Sequence, residues 1–199
     1  MPNVRMPTQK RSIEKRNRII EKGFELICEK GYYNTNTAEI AEYASVSTGI
    51  IYQYFNDKRD IFIEGTKDYA DKIMFPMLGI IDNKDVDKKN IREVFVKMID
   101  SYIKTHTIKK EPHEELMAMS CLDKDIANIF NDREMLLTMK VSSILIKGGF
   151  NDKNIEEKVH LLIGIIDNYC HEVVYHKHKD LNYDVMKDEL LDIIVNFLD

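Results

Sequence analysis

Between Gly49 and Lys58 the chain sets out a short run of groups that hydrogen-bond or carry charge: Tyr52, Gln53, Tyr54 and Lys58, preceded by a glycine. Hydroxyl and amide groups at neighbouring positions can read base edges in a groove, an ammonium can neutralise a phosphate, and a glycine lets backbone approach either closely. Ile51 and Phe55 stand at i and i+4. Burying that pair on one side of a helix turns Gly49, Tyr52 and Gln53 outward. This is the chemistry of recognition rather than of bond-making.

The elements that must position these groups run from Thr37 to Lys58, TAEIAEYASVSTGIIYQYFNDK. Ile40, Ala41 and Ala44 share a face of a first short helix, with Ala41 small where two helices cross closely. Asn36 and Glu39 have the spacing of a capping box, and Ser47 is placed to cap the second helix with its hydroxyl. Asp57 is placed to cap a third, leaving Lys58 in its first turn. Two short helices with a tight break between them make a helix-turn-helix, whose second helix enters the major groove of DNA.

At these residues the chain resembles the tetracycline-repressor (TetR) family of transcriptional regulators. The resemblance rests on Gly31-Tyr32, Thr35-Asn36-Thr37, Ile40-Ala41, Ala44-Ser45-Val46-Ser47, Gly49-Ile50-Ile51-Tyr52, Tyr54-Phe55 and Lys58, and covers roughly the first third of the chain. It implies that Thr37, Ser47, Thr48, Gly49, Tyr52, Gln53, Tyr54 and Lys58 lie at the DNA. Two positions depart from the family pattern. Ser45 stands where the family has a turn glycine, so a positive φ is expected there at some cost in strain. Asn36 replaces one threonine of the cluster, keeping the cap while altering the group offered to phosphate.

Composition agrees once it is divided. The net charge of −5 splits into +2 over residues 1–60 and −7 over the rest, and residues 1–18 hold six Lys or Arg against Glu14 alone. A basic arm beside a helix-turn-helix is the footprint of a nucleic-acid module. Cys28, Cys121 and Cys170 are sparse, odd in number and without a CxxC pair, which suits a reducing compartment. The N-terminus has no apolar signal-peptide core, and Leu161–Ile166 is too short an apolar run to span a bilayer. A cytoplasmic protein is expected, with no membrane partner.

Further along, helical periodicity continues and strand alternation is absent. Residues 1–8 read as a basic tail, and Ser12–Lys30 as a helix with Ile13, Ile20, Phe24, Ile27 and Cys28 inward. A helix from Asp57 to about Met74 carries Ile61, Phe62, Gly65 and Tyr69 inward and is stopped by Pro76. Asn83–Asn90 is a polar loop. Helices follow over Ile91–Thr107, Glu111–Leu122 and Asp125–Lys147, the last with an expected break near Asn131-Asp132. The final two are Asn154–His178 and Tyr183–Leu198. The fold class is all-α: a three-helix DNA-binding domain over residues 1–56 and a larger helical effector-binding and dimerisation domain over residues 57–199.

Asn154–His178 is apolar around most of its circumference, so it must be covered on several sides. It is either the central helix of a monomer or covered by a partner subunit, two helices from each copy making a four-helix bundle, and the resemblance implies the dimer. Ile163, Ile166, Cys170, Val174, Leu190 and Ile194 are the candidate interface of a homodimer. On the first of these helices His160, Asp167 and His171 stand at i, i+7 and i+11, with His176 and His178 beyond. As ligands they suit zinc or another borderline metal; as a polar seam they face a cavity or the twofold. Ligands spread along one helix rarely close a metal site without a partner element, so no metal and no cofactor are expected.

Phosphate-loop, GxSxG and HExxH signatures are all absent, so an enzyme is not expected. A helical metal-binding enzyme using the His160–His178 cluster is the alternative from another class. A ligand-binding scaffold without DNA binding is a third, kept open by Ser45 and Asn36. Met98, Met117 and Met139 are core filler or the adaptable wall of a pocket. The resemblance favours a pocket, which adds Tyr102, His106, Asn168 and Tyr169 as polar liners. The function expected is a ligand-responsive regulator, foremost a repressor, that binds a palindromic double-stranded operator as a homodimer and is released by a small apolar effector.

Overall fold

The structure is a computed structural model that describes residues 7–74, 80–81, 86–108 and 111–198. Within them lie nine helices and no strand. They are α1 (Lys10–Lys30), α2 (Thr37–Tyr43), α3 (Thr48–Tyr54), α4 (Lys58–Met74) and α5 (Ile91–Ile108), then α6 (Glu111–Leu122), α7 (Lys124–Lys147), α8 (Ile155–Tyr175) and α9 (Tyr183–Leu198). Residues 1–6 of the expected tail, Pro76 and residues 83–85 of the expected Asn83–Asn90 loop lie outside the described residues, and 86–90 are loop and turn as expected. The expected break near Asn131-Asp132 is not seen: α7 is continuous through it. With no proline or glycine between Lys124 and Lys147, the two polar residues simply sit on its exposed side.

The chain divides into two compact units. One is Met1–Ala70 with Lys109–Phe130, the other Asp71–Ile108 with Asn131–Asp199. The first unit thus holds the helix-turn-helix together with the start of α4 and all of α6, which a single cut after residue 56 would leave out.

In the first unit the buried residues of α1 are Ile19, Ile20, Gly23, Leu26 and Ile27, while Ile13 is exposed and Cys28 half-buried. The stripe is turned by about a residue from the expected one, because α1 has to bury Gly23. A Cβ on Gly23 would stand 2.6 Å from Ile61 Cγ2 and 3.0 Å from Ile40 Cγ2, and one on Gly65 would stand 2.5 Å from Phe24 Cβ. These two glycines set how closely α1 packs on α2 and α4. Ile61, Phe62 and Tyr69 of α4 are buried as periodicity predicts.

The second unit is built on α5, α8 and α9, which pack on one another around Phe95, Ile99, Leu162, Cys170, Leu190 and Ile194. Val94, Phe95, Met98, Tyr102 and His106 form the inward stripe of α5, as their spacing predicts. Arg92 pairs with Asp188 and Asp192, and Lys187 with Asp100, binding α5 to α9 along their solvent edge.

Candidate nucleic-acid interface and effector cavity

The turn between α2 and α3 is made as a helix C-cap. Val46 N–H donates to Ala41 O (2.9 Å) and Ser45 N–H to Glu42 O (3.0 Å), the paired bonds of a Schellman motif. Ser45 sits at φ 54°, left-handed as expected for that position. At the other end of α2, Asn36 Oδ1 accepts from Ala38 N–H and Glu39 N–H, and Glu39 Oε2 accepts from Asn36 N–H, closing the capping box. Lys30 reinforces Glu39 at 2.5 Å and holds its carboxyl below the usual range. Ser47 is the N-cap residue of α3, but its side chain makes no cap hydrogen bond. Its hydroxyl is instead exposed beside Thr48.

On α3, Ile51 is buried and Thr48, Gly49, Tyr52 and Gln53 are exposed, so the expected outward row stands clear of the core. Tyr54 is placed otherwise. It is buried and its ring meets Phe55 edge-on at 6.5 Å, because a seven-residue helix with Ile51 inward turns its i+3 neighbour inward as well. Thr37 is half-buried at the start of α2.

Lys58 is held by the protein itself. Its Nζ donates to Tyr32 O (2.6 Å) and Thr35 O (2.7 Å) and lies 4.4 Å from the Tyr32 ring centroid. The ammonium therefore braces the α1–α2 loop, with one of its three protons left over for a phosphate. Asp57 caps α4 through Arg59 N–H and Asp60 N–H. Arg59 then grips Asp123 with two bonds (2.7 and 2.8 Å) and Asp125 with a third (2.6 Å), and Glu115 accepts from Tyr32 N–H at 2.5 Å. Arg59 holds the Asp123 carboxyl below the usual range. Of the basic arm, Arg16 is spent on Glu64 and the Phe55 ring, while Lys10, Arg11 and Arg18 are exposed.

In the second unit a cavity of about 50 Å³ is walled by Phe95, Met98, Leu137, Val141 and Leu162, with Tyr102 and Asp167 among its lining. It brings together two of the expected liners, Met98 and Tyr102. His106 is next to it, stacked on the Tyr102 ring at 4.0 Å and pushed down in pKa by burial. The other liners are elsewhere: Met117, Met139 and Asn168 are exposed, and Tyr169 is buried with its hydroxyl donating to Tyr183 O at 2.9 Å. The liners that composition did not single out, Leu137 and Val141, lie one turn apart on α7.

The histidine stripe of α8 is split. His160 is exposed beside Thr138 and Glu134, whereas Asp167 and His171 meet Tyr102 and His106 of α5. The expected dimer residues divide too. Ile166, Cys170, Leu190 and Ile194 are buried in this unit's own core, and Ile163 and Val174 are half-buried. The apolar residues that α8 and α9 leave exposed are Leu161, Ile165, Val185, Ile193 and Phe197. Lys158 over the Phe197 ring at 5.4 Å places Phe197 beside the Lys158–Leu161–Ile165 stripe. In the sequence that stripe is hidden by a helix apolar nearly all round.

Residues 19–64 match the family model described as bacterial regulatory proteins, tetR family. Over those residues the chain is similar to the tetR family. The match falls on α1 to α4, the part that carries the helix-turn-helix. The HTH-type transcriptional regulator HbdR of Aromatoleum sp. (strain CIB) is 48% identical over 58 residues, 29% of this chain and 25% of that one, so the chain spans a quarter of that relative's length. The fatty acid metabolism regulator protein of Bacillus subtilis (strain 168) is 25% identical over 185 residues, covering 89% and 92%. A crystal structure from Saccharomonospora viridis, described as a transcriptional regulator in complex with choline, superposes with a TM-score of 0.67 at 22% identity, over 92% of this chain and 96% of that one. No helix among the described residues is long and apolar enough to cross a membrane.

Proposed function

We propose that the protein is a cytoplasmic repressor that binds a palindromic operator as a homodimer and leaves it when a small, largely apolar effector binds. The observation that carries the reading is the exposed row Ser47, Thr48, Gly49, Tyr52 and Gln53 on a helix whose other side is buried. Those groups, with Thr37 and the remaining proton of Lys58, make the DNA contacts. The exposed stripe Leu161, Ile165, Ile193 and Phe197 makes the twofold, since such a stripe loses contact with water when paired with its own copy.

The effector class follows from the cavity walls, which are apolar except at Tyr102 and Asp167. A relative named for fatty acid metabolism agrees with a hydrocarbon-bearing effector. Release requires that the effector favour one spacing of the two recognition helices over another. Helix α4 starts beside the DNA-facing groups and ends in the second unit, so it is the covalent route for that preference. Selection from random DNA with the full chain is the test. Enrichment of an inverted repeat whose half-sites lie about one helical turn apart, or a multiple, is expected. Recovery of no palindrome overturns the reading.

A further inference from the structure

We propose that the cavity of the second unit takes an alkyl chain with a cationic nitrogen head group, an alkylammonium, whose counter-ion is the Asp167 carboxylate; the assignment rests on reading that cavity as the effector site. The walls are hydrocarbon, with Phe95 and Met98 of α5, Leu137 and Val141 of α7 and Leu162 of α8 among them. Two polar liners interrupt them, Tyr102 and Asp167. Tyr102 Oη donates to Asp167 Oδ1, so both polar groups share one end of the cavity. The Asp167 side chain is 44% exposed, which leaves that end open to water. An apolar chamber with a wet, polar mouth suits an amphiphile, its tail inside and its head at the mouth.

Charge at the mouth selects the head. Besides the Tyr102 hydroxyl, His171 Nδ1 faces the carboxylate, 3.3 Å from Oδ2. Burial and the Asp167 charge push the Tyr102 hydroxyl well above its ordinary pKa, so it stays a neutral donor. His106, stacked on the Tyr102 ring, is pushed down by burial and brings no charge at neutral pH. Among the described residues no lysine or arginine lines the cavity. A carboxylate offers about four lone-pair positions, and the two donors occupy one on each oxygen. An ammonium donates to what remains, in a hydrogen bond that both charges strengthen. A carboxylate head would instead bring like charge against Asp167. The cavity, about 50 Å³, has room for roughly three to five water-sized groups, which fits a short run of methylenes.

The test is calorimetric titration of the full chain with pentylamine, 1-pentanol and pentanoate, three heads on matched tails. It is run at pH 8, where imidazoles are ordinarily neutral and alkylamines charged. Pentylamine should bind about tenfold tighter than pentanol, with pentanoate the weakest. Asp167→Asn should remove the amine's advantage and leave pentanol binding as it was. Asp152→Asn, at an exposed place between α7 and α8, should keep the wild-type order. Circular dichroism accompanies each variant; should Asp167→Asn not fold, the order of the three ligands on the wild type decides. Pentanol or pentanoate binding as tightly as pentylamine overturns the head-group assignment and leaves the effector cavity standing. So does an Asp152→Asn protein that loses the amine's advantage, since the attraction is then that of the chain's net charge. Binding of none of the three overturns the effector cavity together with its head group.

Discussion

Lys58 and Gln53 sit five residues apart and serve different ends. Lys58 is committed to two backbone carbonyls of the α1–α2 loop and to the Tyr32 ring, so its removal strips charged hydrogen bonds from a half-buried place. A net loss of about 1–3 kcal/mol in the stability of the first unit is expected for Lys58→Ala, with binding weakened alike on operator and random DNA. Gln53 is exposed. Gln53→Ala should leave the stability unchanged to within about 0.5 kcal/mol yet cost about 1–3 kcal/mol of discrimination at one base pair. Thermal melting beside titration of both DNAs separates the two. A Lys58→Ala protein that melts like the wild type would show that the brace contributes nothing.

At the scale of elements, α6 and the start of α7 are fastened within the first unit by Glu115 on Tyr32 and by Arg59 on Asp123 and Asp125. The Asp123 carboxyl is held below its ordinary range by Arg59, so the sign of its pH dependence is set. Its contribution is fully present above the ordinary carboxylate pKa and is lost as pH falls through the lowered value in the folded state. With Arg59 37% exposed, solvent screening limits the pair to about 1 kcal/mol. Asp123→Asn should therefore be less stable than wild type at neutral pH, and the gap should close in acid. Urea midpoints at pH 7 and pH 3 measure it; a gap of equal size at both would mean that the carboxylate charge is not what holds the pair.

For the whole molecule the decisive question is which apolar residues of α8 and α9 serve the chain's own core and which face a second copy. Ile194 is wholly buried and Ile165 is 44% exposed. An aspartate at 194 would place an unpaired charge in the core and unfold the second unit. Ile165→Asp, and equally Leu161→Asp, should leave a folded chain that sediments as a monomer and has lost its operator affinity. Analytical ultracentrifugation with circular dichroism distinguishes these outcomes. A dimeric Leu161→Asp/Ile165→Asp double variant would remove this stripe from the interface.

Local signals in the sequence determined the helix-turn-helix, because a helix cap and a tight turn are contacts among residues two to five apart. The Asn36–Glu39 box, the left-handed Ser45 and the outward Gln53 were all legible for that reason. The inward stripe of α5 was legible because one helix with one apolar side has only one way to face a core. Only the tertiary structure decided how α8 is turned, since a helix apolar on nearly every side carries no preferred face of its own. It likewise decided that Tyr54 is buried, that Lys58 braces a loop twenty-three and twenty-six residues away, and that His171 meets His106 rather than His160. Each of these depends on packing between elements distant in the chain, and periodicity within one helix holds no record of what lies opposite it.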